Sequence, residues 1–121
     1  MPRTAVVPVS YIRDSSFEVA AGTTIDATLV TNGVVITQAN TPKLTIEVAN
    51  TAATPKNITI RAGVNPPALH AGQGNKIIAV ANAKTHRIGP LTSMRFSQAN
   101  GDLYIDLETG TTGTISAFLS P

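Results

Sequence analysis

Alternation of apolar and other residues over short segments is the feature that most constrains the fold of this 121-residue chain. In residues 43–50, "KLTIEVAN", three large aliphatic side chains are each separated by one residue. The same period of two recurs in residues 57–62 and 113–119. Successive side chains of a strand point to opposite faces, so each segment predicts a strand with one buried face.

Weaker alternation predicts five further strands between turn-forming residues. They are Val6 to Ile12, Ala27 to Val30, Val34 to Thr37, Ile77 to Ala81 and Thr85 to Ile88. About eight short strands and no convincing amphipathic helix predict an all-β fold, either a β-sandwich or a small barrel. The sequence favours a single-domain sandwich of jelly-roll or immunoglobulin-like topology, with residues 1–12 as an N-terminal arm and first strand and residues 13–121 as the domain.

Two turn signals predict hairpins. The segment "TAATPK" lies between the strands predicted at 43–50 and 57–62, which suggests a hairpin loop. Asn100-Gly101 suits a two-residue type I′ turn, so residues 93–108 are expected to form a second hairpin. Its register places Phe96 opposite Ile105 in the core and Arg95 beside Asp106 on the other face.

Composition argues against several classes of function. The net charge is only +2, charged residues make up 13% of the chain, and the basic residues do not cluster. With no Trp and 4% aromatic residues, the chain is not expected to bind nucleic acid. The absence of cysteine excludes disulfides and thiolate metal sites. No segment resembles a signal peptide or a membrane span, so we expect synthesis in a cytoplasm and no membrane partner.

The glycine-containing stretch "ALHAGQGNKI" at 68–77 raises the question of phosphate binding. A phosphate-binding glycine loop leads into a helix whose N–H groups face the anion. Here the following residues, "NKIIAVANA", are rich in β-branched side chains and predict a strand. We therefore expect a turn, with His70 in a loop as a candidate subunit contact.

No group of residues predicts catalysis, a metal site or a cofactor. His70 and His86 are sixteen positions apart without a nearby carboxylate. Asp106 and Glu108 on one strand face would be roughly 7 Å apart, as in inverting glycosidases, but so would any acidic pair at this spacing. We interpret them, with Asp102, as a solvated face.

The N-terminal segment "PRTAVVP" contains two prolines in seven residues, which disfavour a helix and cannot donate ladder hydrogen bonds. An extended arm that lies on a neighbouring subunit or shell is therefore expected instead of a core strand. Deletion of residues 2–9 is expected to leave the domain folded. With His70, the candidate contacts are Pro2, Arg3, Thr4, Ala5, Val6, Val7 and Pro8.

Several segments, in this order, resemble a family of small virion proteins of tailed bacteriophages. They are "MPRTAVVPV", "AGTTIDAT", "LTIEVANTAATPKNITIRAGVNPPALHAGQGN" and "RIGPLTSMRFSQANGDLYIDLETGTTGTISAFLSP". The resemblance covers nearly the whole chain and rests on strand and turn patterns. It identifies the chain as similar to capsid decoration, or auxiliary head, proteins.

The resemblance implies a β-rich fold without enzymatic activity that binds the major capsid protein on the outside of the shell, often as a trimer. It implies a virion location after synthesis in the host bacterial cytoplasm. Two alternatives stay open: a tail, head-fibre or head–tail junction protein, which would share this composition, and more remotely a carbohydrate-binding β-sandwich, which would normally expose more aromatic residues.

Overall fold

The fold is all-β, and the described residues include two five-stranded sheets and a short helix. The computed structural model describes residues 3–11, 13–14, 16, 22–37, 43–63, 74–91, 96, 98 and 101–119. In the described residues, the first sheet has the order β1-β4-β9-β6-β7 and the second the order β2-β10-β5-β8, with β3 also paired to β10. Both sheets are mixed, because β1 is parallel to β4 and β2 is parallel to β10. The arrangement is sandwich-like and is not the small barrel that the sequence also allowed.

The elements follow one another in short segments along the chain. Their bounds are β1 Thr4–Val6, β2 Val9–Ser10, β3 Thr23–Ile25, α1 Ala27–Asn32, β4 Val34–Ile36, β5 Leu44–Asn50, β6 Lys56–Ile60, β7 Lys76–Val80, β8 Thr85–Ile88, β9 Leu103–Leu107 and β10 Gly113–Leu119.

The core consists of alternate aliphatic side chains from the facing sides of the two sheets. β5 buries every second residue from Leu44 to Asn50, and β9 does the same from Leu103 to Leu107. These residues belong to one hydrophobic cluster. The strong alternation in 43–50, 57–62 and 113–119 was therefore a correct indication of half-buried strands.

Residues 27–32 form a helix, so the strand predicted at Ala27 to Val30 is wrong. The Asp26 side chain accepts a hydrogen bond from the Leu29 N–H at 3.1 Å, which caps the first turn. At the other end, Gly33 has a φ of 81° and donates its N–H to the Leu29 carbonyl. These caps and the burial of Leu29 outweigh the weak alternation.

The pairing of Phe96 with Ile105, predicted for a hairpin over residues 93–108, is also wrong. Phe96 is buried but has helical backbone, and both edges of β9 are occupied by β4 and β6. Ile105 lies opposite Val34 on one side and Ile60 on the other, which leaves no edge for a strand before the turn. A local turn is present nevertheless, since the Gly101 N–H donates to the Gln98 carbonyl at 2.9 Å. Arg95 lies outside the described residues.

The segment 51–55 does not close a hairpin, because β5 and β6 belong to different sheets. The buried side chain of Asn50 holds this crossing in place. Its Nδ2 donates to the carbonyls of Val80 at 3.0 Å and Thr54 at 3.2 Å, and its Oδ1 accepts from the Ala52 N–H at 2.9 Å. One amide therefore fixes the crossing segment and the end of β7.

The N-terminal segment is part of the sandwich, which corrects the expectation of an arm separate from the core. Val6 is buried in the main cluster, and β1 and β2 pair with strands of their own chain. The prolines did not prevent this, because Pro8 lies between β1 and β2 and takes no place in either ladder.

We predict that Asn50→Ala lowers the free energy of unfolding by about 1–3 kcal/mol, because buried carbonyls lose their donor. Urea denaturation followed by circular dichroism measures this change. Asn57→Ala, at an exposed position of β6, is the matched control and should change stability by less than about 0.5 kcal/mol. Equal effects of the two substitutions would contradict the role given to Asn50.

Candidate attachment surface

Residues 3–11 pass from the edge of one sheet to the edge of the other. The Thr4 N–H donates to the Gly33 carbonyl at 3.0 Å, just before β1 pairs with β4. Further along, the Tyr11 N–H donates to the Leu119 carbonyl at 2.7 Å, just after β2 pairs with β10. Main-chain hydrogen bonds at both ends thus fix the segment to the domain.

Arg3 fixes the start of this segment to the outer face of β9. Its Nη1 donates to Oδ1 of Asp106 at 2.7 Å and to the Ile105 carbonyl at 3.2 Å. Its Cζ lies 4.5 Å from the centre of the Tyr104 ring, a cation–π distance. Arg61 donates to the other oxygen of Asp106 at 2.7 Å. One carboxylate therefore binds two guanidinium groups. The predicted partner Arg95 lies outside the described residues.

Gly33 is required for this arrangement. A Cβ at this position would lie 2.2 Å from Nη1 of Arg3 and 2.9 Å from Oδ1 of Asp106. The residue also has a φ of 81°, which side chains rarely adopt. The glycine thus ends helix α1 and leaves room for the ion pair beside it.

The two arginines control the ionisation of Asp106. Burial alone would raise the pKa of its carboxyl group, but the hydrogen bonds from Arg61 and Arg3 and their positive charges outweigh burial and lower the pKa. Asp106 therefore stays ionised under mildly acidic conditions. It is a structural anchor, and its ion pairs leave it poorly placed to act as a general acid.

Beyond β1 the segment exposes large apolar side chains. Val7 is 74% exposed, Val9 41% and Tyr11 42%. Val9 lies opposite Phe118 in the register, and the Tyr11 ring is 6.1 Å from the Phe118 ring on the outer face of the second sheet. We call Val7, Val9, Tyr11 and the underlying Phe118 the N-terminal apolar surface. Contiguous exposed apolar residues of this kind commonly mark contact sites.

The candidate contact residues from the sequence differ in their placement. Arg3 and Val6 face their own chain, whereas Ala5 and Val7 are exposed. Thr4 and Pro8 are partly buried. Pro2 and His70 lie outside the described residues, so their predicted roles stay predictions.

Sequence reasoning missed two parts of this site. The contact of Arg3 with Asp106 joins positions 103 residues apart, and no local pattern indicates it. The apolar surface did have a signal, because Val7, Val9 and Tyr11 recur with a period of two. Recognising it would have required attention to the outer face as well as the buried one.

Acidic side chains near Asp106 are also paired with a basic group or lie apart from one another. Oε2 of Glu108 lies 3.4 Å from Nζ of Lys56. In the described part of the chain no three His, Cys, Asp or Glu side chains come together in a way that could hold a metal ion. Asp106 and Glu108 are therefore each engaged by basic side chains.

We predict that Asp106→Asn lowers the free energy of unfolding at pH 7, and that the difference in this free energy between the native protein and the variant becomes smaller in acid. Because the folded-state pKa is lowered, the ion pairs contribute fully above the ordinary carboxyl pKa of about 3.9 and are lost as the pH falls through the folded value. Urea unfolding at pH 7 and at about pH 2.5 measures this. Asp14→Asn is the control, since Asp14 is exposed and its φ of 57° is tolerated by Asn. A constant difference at both pH values would contradict the assignment.

The paired β1 and β2 reverse the expected outcome of deleting residues 2–9. The deletion removes β1 and Val9 of the two-residue strand β2, so we predict a loss of at least about 1.5–3 kcal/mol in the free energy of unfolding, the value of burying Val6 alone. Val6→Ala and Val7→Ala form a matched pair of neighbouring buried and exposed valines. Denaturant titration should show a clear loss of unfolding free energy for Val6→Ala and little change for Val7→Ala. An unchanged denaturation midpoint after deletion of residues 2–9 would contradict this prediction and support the expectation from the sequence that the domain folds without them.

Comparisons with known proteins complete the description of the site. No helix in the described residues is long and apolar enough to cross a membrane. No family model, no curated protein sequence and no solved structure matches the chain.

Proposed function

We propose that this protein is a structural virion protein that decorates a bacteriophage capsid, binding the outer surface of the major capsid protein. The observation that carries the proposal is the N-terminal apolar surface, in which Val7, Val9 and Tyr11 are exposed at alternate positions of the segment that passes from one sheet edge to the other. The sequence resemblance to capsid decoration proteins supplies the identity of the partner.

The edges of β1 and β2 suit a protein contact of this kind. Each strand pairs on one side only in the described residues, so its other side offers main-chain donors and acceptors. A strand from a capsid subunit could continue either sheet while its apolar side chains cover Val7 and Val9. Main-chain hydrogen bonds would give affinity, and burial of the valines would add to it.

The anchoring of the segment favours binding further. A free arm loses conformational entropy when it orders on a partner, whereas a segment already held by Arg3 and two ladders loses less. The surface is therefore preorganised. This mode differs from the detached arm expected from the sequence, although the same residues make the contact.

The rest of the proposal follows from the resemblance. The protein acts without catalysis, assembles as a trimer, is made in the host cytoplasm and remains on the virion. The low charge and β-rich fold suit such a component. The finer sandwich types expected from the sequence, jelly-roll and immunoglobulin-like, remain alternatives within this proposal.

We predict that Val7→Glu weakens binding to undecorated capsid shells of the source phage by at least about tenfold, which corresponds to about 1.4 kcal/mol. The side chain is 74% exposed, so the substitution should leave the free energy of unfolding nearly unchanged. Co-sedimentation with shells measures the binding. Ala53→Glu adds the same charge in the exposed segment between β5 and β6 and should bind as the native protein does.

Each result bears on a separate part of the proposal. Native-strength binding by Val7→Glu would refute the N-terminal apolar surface as the contact. Failure of the intact protein to bind shells would refute the decoration role, and binding to purified tails instead would favour the tail alternative. Sedimentation equilibrium of the free protein tests the trimer.

A further inference from the structure

A cleft opens between the sheets at the side opposite the N-terminal segment. It lies between β7, the last strand of one sheet, and β8, the last strand of the other, and has a volume of about 380 Å³. Its main lining side chains are Lys76, Ile78, His86, Ile88, Leu91 and Phe96. Volumes of this size accommodate small ligands or a few side chains of a partner.

The cleft combines an apolar interior with two basic side chains that face inward. Lys76 lies on the same face of β7 as the buried Val80, and His86 lies opposite the buried Val48 in the register. Among the residues that the structure describes, neither has an ion-pair partner and no acidic residue lines the cleft. Arg87 also borders the cleft, but its side chain lies on the other face of β8, with 3.1 Å between its Nε and Oε2 of Glu47. The cleft is therefore complementary to an acidic group attached to an apolar segment.

The edge of β8 also offers main-chain hydrogen-bonding groups to the cleft. In an antiparallel ladder, opposite residues alternate between bonded and non-bonded pairs. The Asn50 N–H donates to the Lys84 carbonyl at 2.9 Å, which makes this position a bonded pair. The pair of Val48 with His86 is then bonded, and the pair of Glu47 with Arg87 is not. The N–H and C=O of Arg87 consequently point away from β5 and towards the open edge.

We propose that this cleft binds an extended segment of another protein in which the cleft-facing side chains, at every second position, include an acidic residue next to apolar ones, and that the segment adds to the second sheet as a strand beside β8. Alternate side chains of an added strand face the same way as His86 and Ile88, so they enter the cleft. A carboxylate among them reaches Lys76 or His86, and an apolar neighbour packs on Ile78 and Ile88. This site is separate from the N-terminal apolar surface and does not depend on the proposed capsid role.

The competing explanation is that the inward-facing charges protect the edge. Natural sheets use such charges to discourage unwanted strand pairing. In that case the cost of covering Lys76 and His86 would prevent a strand from pairing with β8 even when that strand carries a carboxylate. The two explanations therefore predict different results: protection predicts no saturable binding of an acidic segment, whereas the proposed site predicts such binding.

The test uses an end-capped, fluorescein-labelled hexapeptide Val-Thr-Glu-Thr-Val-Thr, called the Val/Glu peptide, which carries Val and Glu on one face of a strand. The matched Val/Lys peptide, Val-Thr-Lys-Thr-Val-Thr, differs only in the charge of that face. Fluorescence anisotropy with the full chain should show saturable binding of the Val/Glu peptide. The Val/Lys peptide should show no binding up to about 1 mM protein, a concentration that would detect even a very weak affinity. Lys76→Gln should weaken binding about threefold to tenfold, as expected for one charge-assisted contact. Lys84→Gln removes the same charge from an exposed position outside the cleft and should have no effect.

A second pair of variants tests strand addition. Arg87→Pro removes the outward N–H, whereas Arg87→Ala removes the side chain and keeps that N–H. Binding should fall with Arg87→Pro and persist with Arg87→Ala. In the native protein, amide chemical-shift changes on peptide addition should concentrate in residues 76–80 and 85–88, which tests the site even if Arg87→Pro fails to fold.

Three outcomes would overturn the proposal. The first is the absence of saturable binding of the Val/Glu peptide. The second is an equal loss of peptide affinity in Lys76→Gln and Lys84→Gln. The third is that the amide chemical-shift changes concentrate in residues 7–11. Unchanged binding by a folded Arg87→Pro would overturn the addition of a strand.

Discussion

Burial of alternate side chains between the two sheets is the constraint on which the rest of this structure depends. Ile46 and Ile105 are fully buried near the centre of the two sheets. Since the strand period is two, their burial decides which neighbours face outward. It places Tyr104 and Asp106 where Arg3 can reach them. A shift of β9 by one residue would bury a carboxylate and release the N-terminal strand, so the core fixes the attachment surface as well.

The period of two could be predicted from the sequence because it is a local property. β5 and β10 have seven residues each, and their alternation was sufficient to locate both. Strand partners are not local. β5 and β6 are neighbours in the chain but lie in different sheets, and β9 pairs with β4 and β6 in place of the segment that precedes it. A good turn sequence such as Asn100-Gly101 favours a local reversal of the chain, but it does not determine which strands pair.

The candidate site shows the same division between local and distant information. The prolines near the N-terminus correctly argued against a helix and against a central strand, and β1 and β2 are indeed edge strands. The local sequence could not show that an acceptor for Arg3 would be provided by Asp106. Nor could it show that Gly33 would leave the space for their contact. The outcome is an edge segment fixed by a distant ion pair.

The two proposed contact surfaces lie at opposite edges of the sandwich, which raises the question of why copies should not join edge to edge into filaments. A contact between unlike surfaces that does not close on itself propagates without limit. Here the surfaces are poorly matched, because the N-terminal apolar surface of Val7, Val9, Tyr11 and Phe118 offers no carboxylate to the inward-facing Lys76 and His86. Burying such charges unpaired is unfavourable. The same charges that select an acidic segment therefore also disfavour self-assembly through this pair of edges.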